Sequence, residues 1–172
     1  MAEKSKHEAE MEAYQKLAMP GAPHRVLASM AGSWTTTIKS WMEPGKPPME
    51  SAGTSEQKMI LGGRYLHQEF NGDMIGRPFT GIGITGYDNH KKRYVSTWMD
   101  SMSTGIYCFE GVSGEDDNTI TMECRTEDLV RGPMKWRSVT TILDDNTHLF
   151  EMYGTDKSDK EQKMMEITYR RK

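Results

Sequence analysis

Leu27-Ala28-Ser29-Met30-Ala31-Gly32-Ser33-Trp34 is where the chain changes its repeat. Before it, apolar residues return every three or four positions. Met11, Tyr14, Leu17 and Ala18 mark one face of a helix, and Pro20-Gly-Ala-Pro23 ends it. A second, shorter helix over His24 to Ala31 presents Val26, Leu27 and Met30 on one side. From Trp34 onward apolar and polar residues alternate, which is the period of a strand with one buried face. Residues 32–172 therefore read as one β domain, and residues 1–31 as a helical segment that packs on it or caps it. Neither helix carries enough apolar surface to stand alone.

Working outward, the remainder divides into ten strand-like runs: 33–42, 50–61, 64–71, 78–87, 93–100, 104–111, 118–125, 135–143, 147–153 and 163–171. The connections have turn chemistry. Pro44-Gly-Lys-Pro-Pro48 cannot continue a ladder. Leu61-Gly-Gly63 permits reversal through positive φ. Asp88-Asn-His-Lys-Lys92 and Asp144-Asp-Asn146 are polar hairpin tips. Connections this short join antiparallel neighbours and leave no room for the helical crossover of a parallel sheet. A sandwich or a closed barrel satisfies the pattern, and closure removes the exposed edges.

Length and composition bound the function. The 172 residues suit one domain that buries enough surface to fold without a disulfide or metal. The net charge is −3 with both signs mixed, so no basic stripe marks a nucleic-acid footprint. No stretch approaches the roughly 20 apolar residues of a membrane span, and residues 1–19 lack the apolar core of a secretory leader. A cytoplasmic protein with no nucleic-acid or membrane partner is expected. Fifteen methionines are unusual; they suit either core filling or a deformable pocket. Two cysteines, Cys108 and Cys124, are too few for a thiolate zinc site. A hairpin turn centred on Asp116 would set them opposite each other, although reduced thiols are the expectation in cytosol.

A short helix leading through Gly-x-Trp into the first strand resembles the opening of lipocalins and other calycins. In those folds the tryptophan closes one barrel end against a basic residue of the last strand, and Arg170 and Arg171 supply that residue type here. Further segments stand in order: Trp41-Met-Glu-Pro-Gly45, Ile60-Leu-Gly-Gly-Arg-Tyr-Leu66, Gly81-Ile-Gly-Ile-Thr-Gly-Tyr-Asp88, Tyr94-Val-Ser-Thr-Trp-Met-Asp-Ser101 and Met165-Glu-Ile-Thr-Tyr169. With residues 27–34 they look like the bacterial family catalogued as domain of unknown function 1579, over about residues 20 to 172. The resemblance implies a calycin-like antiparallel barrel and no particular activity.

Candidate site residues are those where ionisable and aromatic side chains share a strand face. Tyr65, His67 and Glu69 share one face, with Leu66, Gln68 and Phe70 on the other. Tyr94, Ser96, Trp98 and Asp100 share another, making an aromatic wall with an acid beside it; Asp100 can equally cap the adjoining turn. Arg137 faces away from Trp136, and Glu151 with Tyr153, or Glu166, can meet it inside the barrel or lie with it on the surface. His148 shares a face with Phe150 and Met152. Haem held by His148 or His67 is disfavoured: a histidine among apolar neighbours is more often a core residue, and no cofactor or metal is expected. Gly81-Ile-Gly-Ile-Thr-Gly86 has the wrong spacing for a dinucleotide loop and lacks a helix after it. Its glycines instead let the strand bend or a large side chain approach.

Three functions fit this pattern, in descending order. The first is a barrel that binds a small, largely apolar molecule against Trp34, Tyr87, Trp98 and methionines, with Arg137 or His67 orienting a polar end. The second is an enzyme using inward Tyr65, Arg137, Glu69 and Glu151 as acid and base. The third is an interaction module, for instance a homodimer through the N-terminal helix.

Overall fold

Local chemistry sets the start of the chain. In the computed structural model, which describes residues 5–74, 76–115, 118–129, 132–155, 158 and 160–172, helix α1 spans Lys6–Ala18 and α2 spans Ala22–Ser29. Ser5 caps α1: its Oγ accepts from the Glu8 amide at 3.2 Å while the Glu8 carboxylate accepts from the Ser5 amide at 2.8 Å. This reciprocal pair satisfies two amides that a helix start leaves unpaired. Pro23 sits in the first turn of α2, where its missing N–H costs nothing.

Ten strands come next: β1 Gly32–Ser40, β2 Met49–Ile60, β3 Tyr65–Met74, β4 Arg77–Asp88, β5 Arg93–Asp100, β6 Tyr107–Ser113, β7 Thr119–Asp128, β8 Gly132–Asp144, β9 Thr147–Thr155 and β10 Glu161–Arg171. Each pairs antiparallel with the next, and β1 pairs with β10, so the meander closes into a barrel. The expected ten strands are all present. Their ends differ: β8 and β10 begin earlier than the pattern suggests, β6 begins later, and Trp41 and Met42 lie beyond β1. The reversal between β2 and β3 runs through positive φ at Leu61, Gly62 and Gly63, as the sequence there requires.

One barrel end is plugged. Helix α2 packs against β2, β3 and β4, with Leu27 fully buried and Met30 nearly so. Burying a leucine side chain contributes about 1.5–3 kcal/mol. Tyr87 and Tyr94 meet edge to face beneath this helix, with centroids 5.0 Å apart, and His24 meets Tyr87 at 6.0 Å. By contrast α1 buries no residue and leaves Met11, Tyr14 and Leu17 exposed. Of the two helices, α2 buries residues against the strands and α1 does not. Asn89 ties the end of α1 to the barrel by donating to the carbonyls of Leu17 and Met19 at 2.7 and 2.9 Å.

The cysteines do not face each other. The β6–β7 ladder pairs Gly111 with Met122, one residue out of register with a turn centred on Asp116, which lies outside the described residues. Because faces alternate, Cys108 is exposed, Cys124 is buried, and both thiols are free.

Barrel closure pairs Trp34 with Arg171. The guanidinium lies 4.2 Å from the indole centroid. It also donates to the carbonyls of Ala31 at 2.8 Å, Ser29 at 3.0 Å and Asp145 at 2.9 Å. The indole N–H donates to the Met30 carbonyl at 3.0 Å. The arginine thus satisfies carbonyls at the end of α2 while stacking on the residue that seals the barrel. Arg171→Ala is expected to cost about 2–3 kcal/mol, because the side chain is half-buried and water can replace part of its hydrogen bonding. That corresponds to a melting temperature lower by about 5–10 °C. Arg171→Lys should recover less than half of the loss, since an ammonium cannot reproduce the planar fork. Equal melting of all three proteins would contradict this role.

Candidate functional site

Alternation along the strands decides which side chains face the barrel interior. Ile38, Leu66, Phe70, Trp98, Phe109, Trp136, Phe150 and Ile167 face it from several different strands, with Met30, Met74, Met102, Met122, Met152 and Met165 among them. They enclose a cavity of about 450 Å³. The size is within the range of small-molecule sites. Six of the methionines line it, so part of the methionine excess belongs to the pocket and part to the rest of the chain.

The cavity has two unlike ends. Toward α2 lie Met30, Leu66, Gln57, Gln68, His148 and Tyr169. At the other end lie Ser40, Asp73, Asp100, Met102 and Ser103. Met102 and Ser103 are exposed, so the cavity reaches solvent there. Trp98 forms one wall. Its ring rests on β4 where Gly81 and Gly83 leave room: a Cβ built on Gly81 would overlap the ring, and one on Gly83 would stand 3.1 Å from it. The alternating glycines thus admit a large side chain, as the sequence suggests. Trp98 Nε1 donates to Asp100 at 2.9 Å, and the same carboxylate accepts from the Met102 amide at 2.9 Å. Asp100 therefore lines the mouth, fixes the tryptophan and caps the adjoining turn together.

At the closed end a polar group sits within apolar walls. Gln68 Nε2 donates to Ser55 Oγ and to the Tyr169 hydroxyl, both at 3.1 Å. Burial pushes the Tyr169 phenol up to about 12, against the opposing pull of that hydrogen bond. His148 stacks on Tyr169 with centroids 4.2 Å apart and meets the edge of Trp34 at 4.4 Å. Its Nδ1 is buried without a hydrogen-bond partner. Burial, helped by the nearby Arg171 charge, lowers the His148 pKa to about 4, so the ring is neutral at neutral pH.

Of the candidates read from the sequence, Trp98 and Asp100 line the cavity together. Trp34 lies beneath its floor, and Tyr87 supports α2. The others stand on the outer surface. Tyr65 covers Gly86 on the neighbouring strand. His67 Nδ1 lies 3.9 Å from Glu69 on the outer face. Arg137 forms a two-pronged pair with Glu161 at 2.6 and 2.8 Å and lies 4.2 Å over the Tyr153 ring. Tyr153 donates to Glu151 at 3.0 Å, and Glu151 pairs with Lys163. Burial alone would lower the Lys163 ammonium, but Glu151 and Glu166 outweigh it and hold it above its ordinary range. Arg137, Glu151 and Tyr153 do meet, but as a surface strip across β8, β9 and β10. The inward Tyr–Arg–Glu arrangement needed for acid–base chemistry on a bound substrate is not formed by these residues.

Gln57, Gln68 and Tyr169 are absent from the set that sequence reasoning selects. One signal pointed to Gln68, which alternates with Leu66 and Phe70 and so shares their inward face; the pairing of Gln57 with it and the reach of Tyr169 come from the fold.

The neutral His148 has a thermodynamic consequence. Its folded pKa lies below the ordinary 6.5, so between those values the unfolded chain binds more protons than the folded one. Its contribution is most favourable above about pH 6.5 and declines as pH falls toward 4, by about 3 kcal/mol in all. His148→Phe keeps a ring in the stack and cannot titrate. The difference in unfolding free energy between wild type and this variant should shift by about that amount from pH 7 to pH 4. A constant difference would contradict a buried neutral imidazole.

Comparison with known proteins agrees with the fold. Rv2717c from M. tuberculosis is similar in structure, with a TM-score of 0.62 at 12% identity over 90% of this chain and 99% of that one. The S-type phycobiliprotein lyase CPES from Guillardia theta gives 0.57 at 10% identity over 92% and 96%. The barrel EF1p2_mFAP2b, solved bound to DFHBI, gives 0.50 at 12% identity over 88% and 100%. No curated protein matches. At these identities the likeness is one of fold. The sequence signature described as "Protein of unknown function (DUF1579)" matches residues 19–171, and the chain belongs to that family.

Proposed function

We propose that this barrel binds a small, largely apolar molecule in its interior. The observation that carries this reading is the cavity of about 450 Å³, walled by aromatic and methionine side chains and open at one end. A protein with no use for the space loses stability by leaving it unfilled, because lining atoms forfeit dispersion contacts and apolar transfer energy. Methionines adapt their shape to a guest at little cost. Carboxylates lie at one end and the Gln57, Gln68, His148 and Tyr169 group at the other, with neutral hydroxyls such as Ser138 and Thr140 between, which suits orientation of an elongated molecule. Among similar barrels, one was solved bound to DFHBI, which is in keeping with this use of the fold. Acid–base catalysis by Tyr65, Arg137, Glu69 and Glu151 is not proposed, since these residues face outward.

The test is titration with a neutral, environment-sensitive naphthalene dye such as prodan, monitored by dye emission and by energy transfer from Trp98 and Trp136. Saturable binding at one site is expected. Ser138 is buried and lines the cavity, so Ser138→Phe should fill it and weaken dye binding by at least about tenfold. Thr140→Phe, on the same face of β8, should act alike. Undiminished binding in folded forms of both variants would place the dye elsewhere and contradict the reading.

A further inference from the structure

The charge of the lining is one-sided. Among the described residues it holds two carboxylates, Asp73 and Asp100, and one imidazole, His148, with no lysine or arginine. Both carboxylates stand at the mouth. Asp73 Oδ1 accepts from the Gly76 amide at 2.7 Å, and Asp100 accepts from Trp98 and Met102, so each is held in place. An anionic head group would meet like charge at the mouth and find no cation deeper in. Burying an unpaired charge is costly, so a carboxylate has no favourable position along the cavity.

The closed end asks for something different. Gln68 spends both Nε2 protons, on Ser55 and on Tyr169. The Tyr169 oxygen accepts that bond, and among the described residues its hydroxyl donates to no partner. Beside it His148 Nδ1 is buried and unpartnered. A buried donor left unpaired disfavours the empty state and is satisfied by a ligand atom that accepts from it. A carbonyl oxygen can accept from Tyr169. A hydroxyl can accept from Tyr169 and also engage His148.

Resting on the binding reading above, we propose that the cavity is selective for uncharged apolar molecules whose leading end carries a carbonyl or hydroxyl oxygen, received by Tyr169, and that it rejects carboxylates. The ligand passes Asp73 and Asp100, lays its apolar body along Trp98, Phe150 and the methionines, and places its oxygen at the floor. This class comprises apolar alcohols, aldehydes, ketones and esters, and it excludes free fatty acids.

The experiment is displacement of prodan by a matched ten-carbon series, decan-1-ol, decan-2-one, decanoate and decylamine, with naphthalene as an apolar probe lacking a hydrogen-bonding group. Decanol and decanone should compete at least about tenfold more strongly than decanoate. Tyr169→Phe preserves the ring stack and removes one hydroxyl. It should weaken decanol and decanone by about three- to tenfold and leave naphthalene unchanged. Decanoate competing as well as decanol would overturn the selectivity while leaving the cavity as a binding site. Decylamine competing best would overturn it in favour of recognition at the mouth carboxylates. Equal response of naphthalene and decanol to Tyr169→Phe would remove the hydroxyl from recognition. If neither prodan nor any of the probes binds, the binding reading itself fails.

Discussion

The pairing of β1 with β10 in the register that sets Trp34 against Arg171 is the constraint on which the other features depend. Closure removes both sheet edges, so every strand has two partners. It also brings one side chain from the last strand onto the junction between α2 and β1. There Arg171 binds the carbonyls of Ser29 and Ala31, and Trp34 binds the carbonyl of Met30. The plug and the barrel are joined at the same point, which leaves the opposite end free to open. A barrel sealed at one end and unsealed at the other is the geometry that creates an interior pocket.

Polar groups in this interior are arranged by cost. Near the seal, where water is excluded, they are neutral: two glutamines, a serine, a phenol and an imidazole that burial keeps unprotonated. At the open end, where water can solvate them, they are carboxylates held by backbone amides. Charged residues elsewhere pair on the outer wall, as in the strip formed by Arg137, Glu161, Glu151 and Lys163. Such partly exposed pairs stabilise only weakly. With them outside, no lysine or arginine lines the cavity among the described residues.

Much of this was legible in the sequence. The switch of period at Trp34, the turn residues and the ordered segments of the family pointed to ten antiparallel strands and a barrel. The tryptophan–arginine contact was implied by the resemblance to lipocalin-like openings, for which Arg170 and Arg171 supplied the residue type. Sidedness was harder. On β5 one face combined Tyr94, Trp98 and Asp100 as an aromatic wall with an acid beside it, and Trp98 and Asp100 do line the cavity, although alternation alone left the inward side open. On β3 the choice lay between Tyr65, His67 and Glu69 and the set Leu66, Gln68 and Phe70, and chemically interesting residues drew attention to the outer set. Register supplies what alternation alone could not: Gln68 stands opposite Gln57, and Tyr169 reaches it from β10. The β6–β7 pairing shows how small a shift matters, since one residue places Cys108 and Cys124 on opposite faces. The loose attachment of α1 was not legible either, because an apolar stripe records a capacity to pack and not a partner.

A small apolar guest held in the interior cavity should survive gentle purification. Native mass spectrometry of protein purified directly from its source, beside the Ser138→Phe variant prepared identically, tests this most directly. The expected result is an added mass on the wild-type chain, lost on denaturation and absent from the filled variant. An added mass retained equally by the filled variant, or bare chains in both, would contradict it.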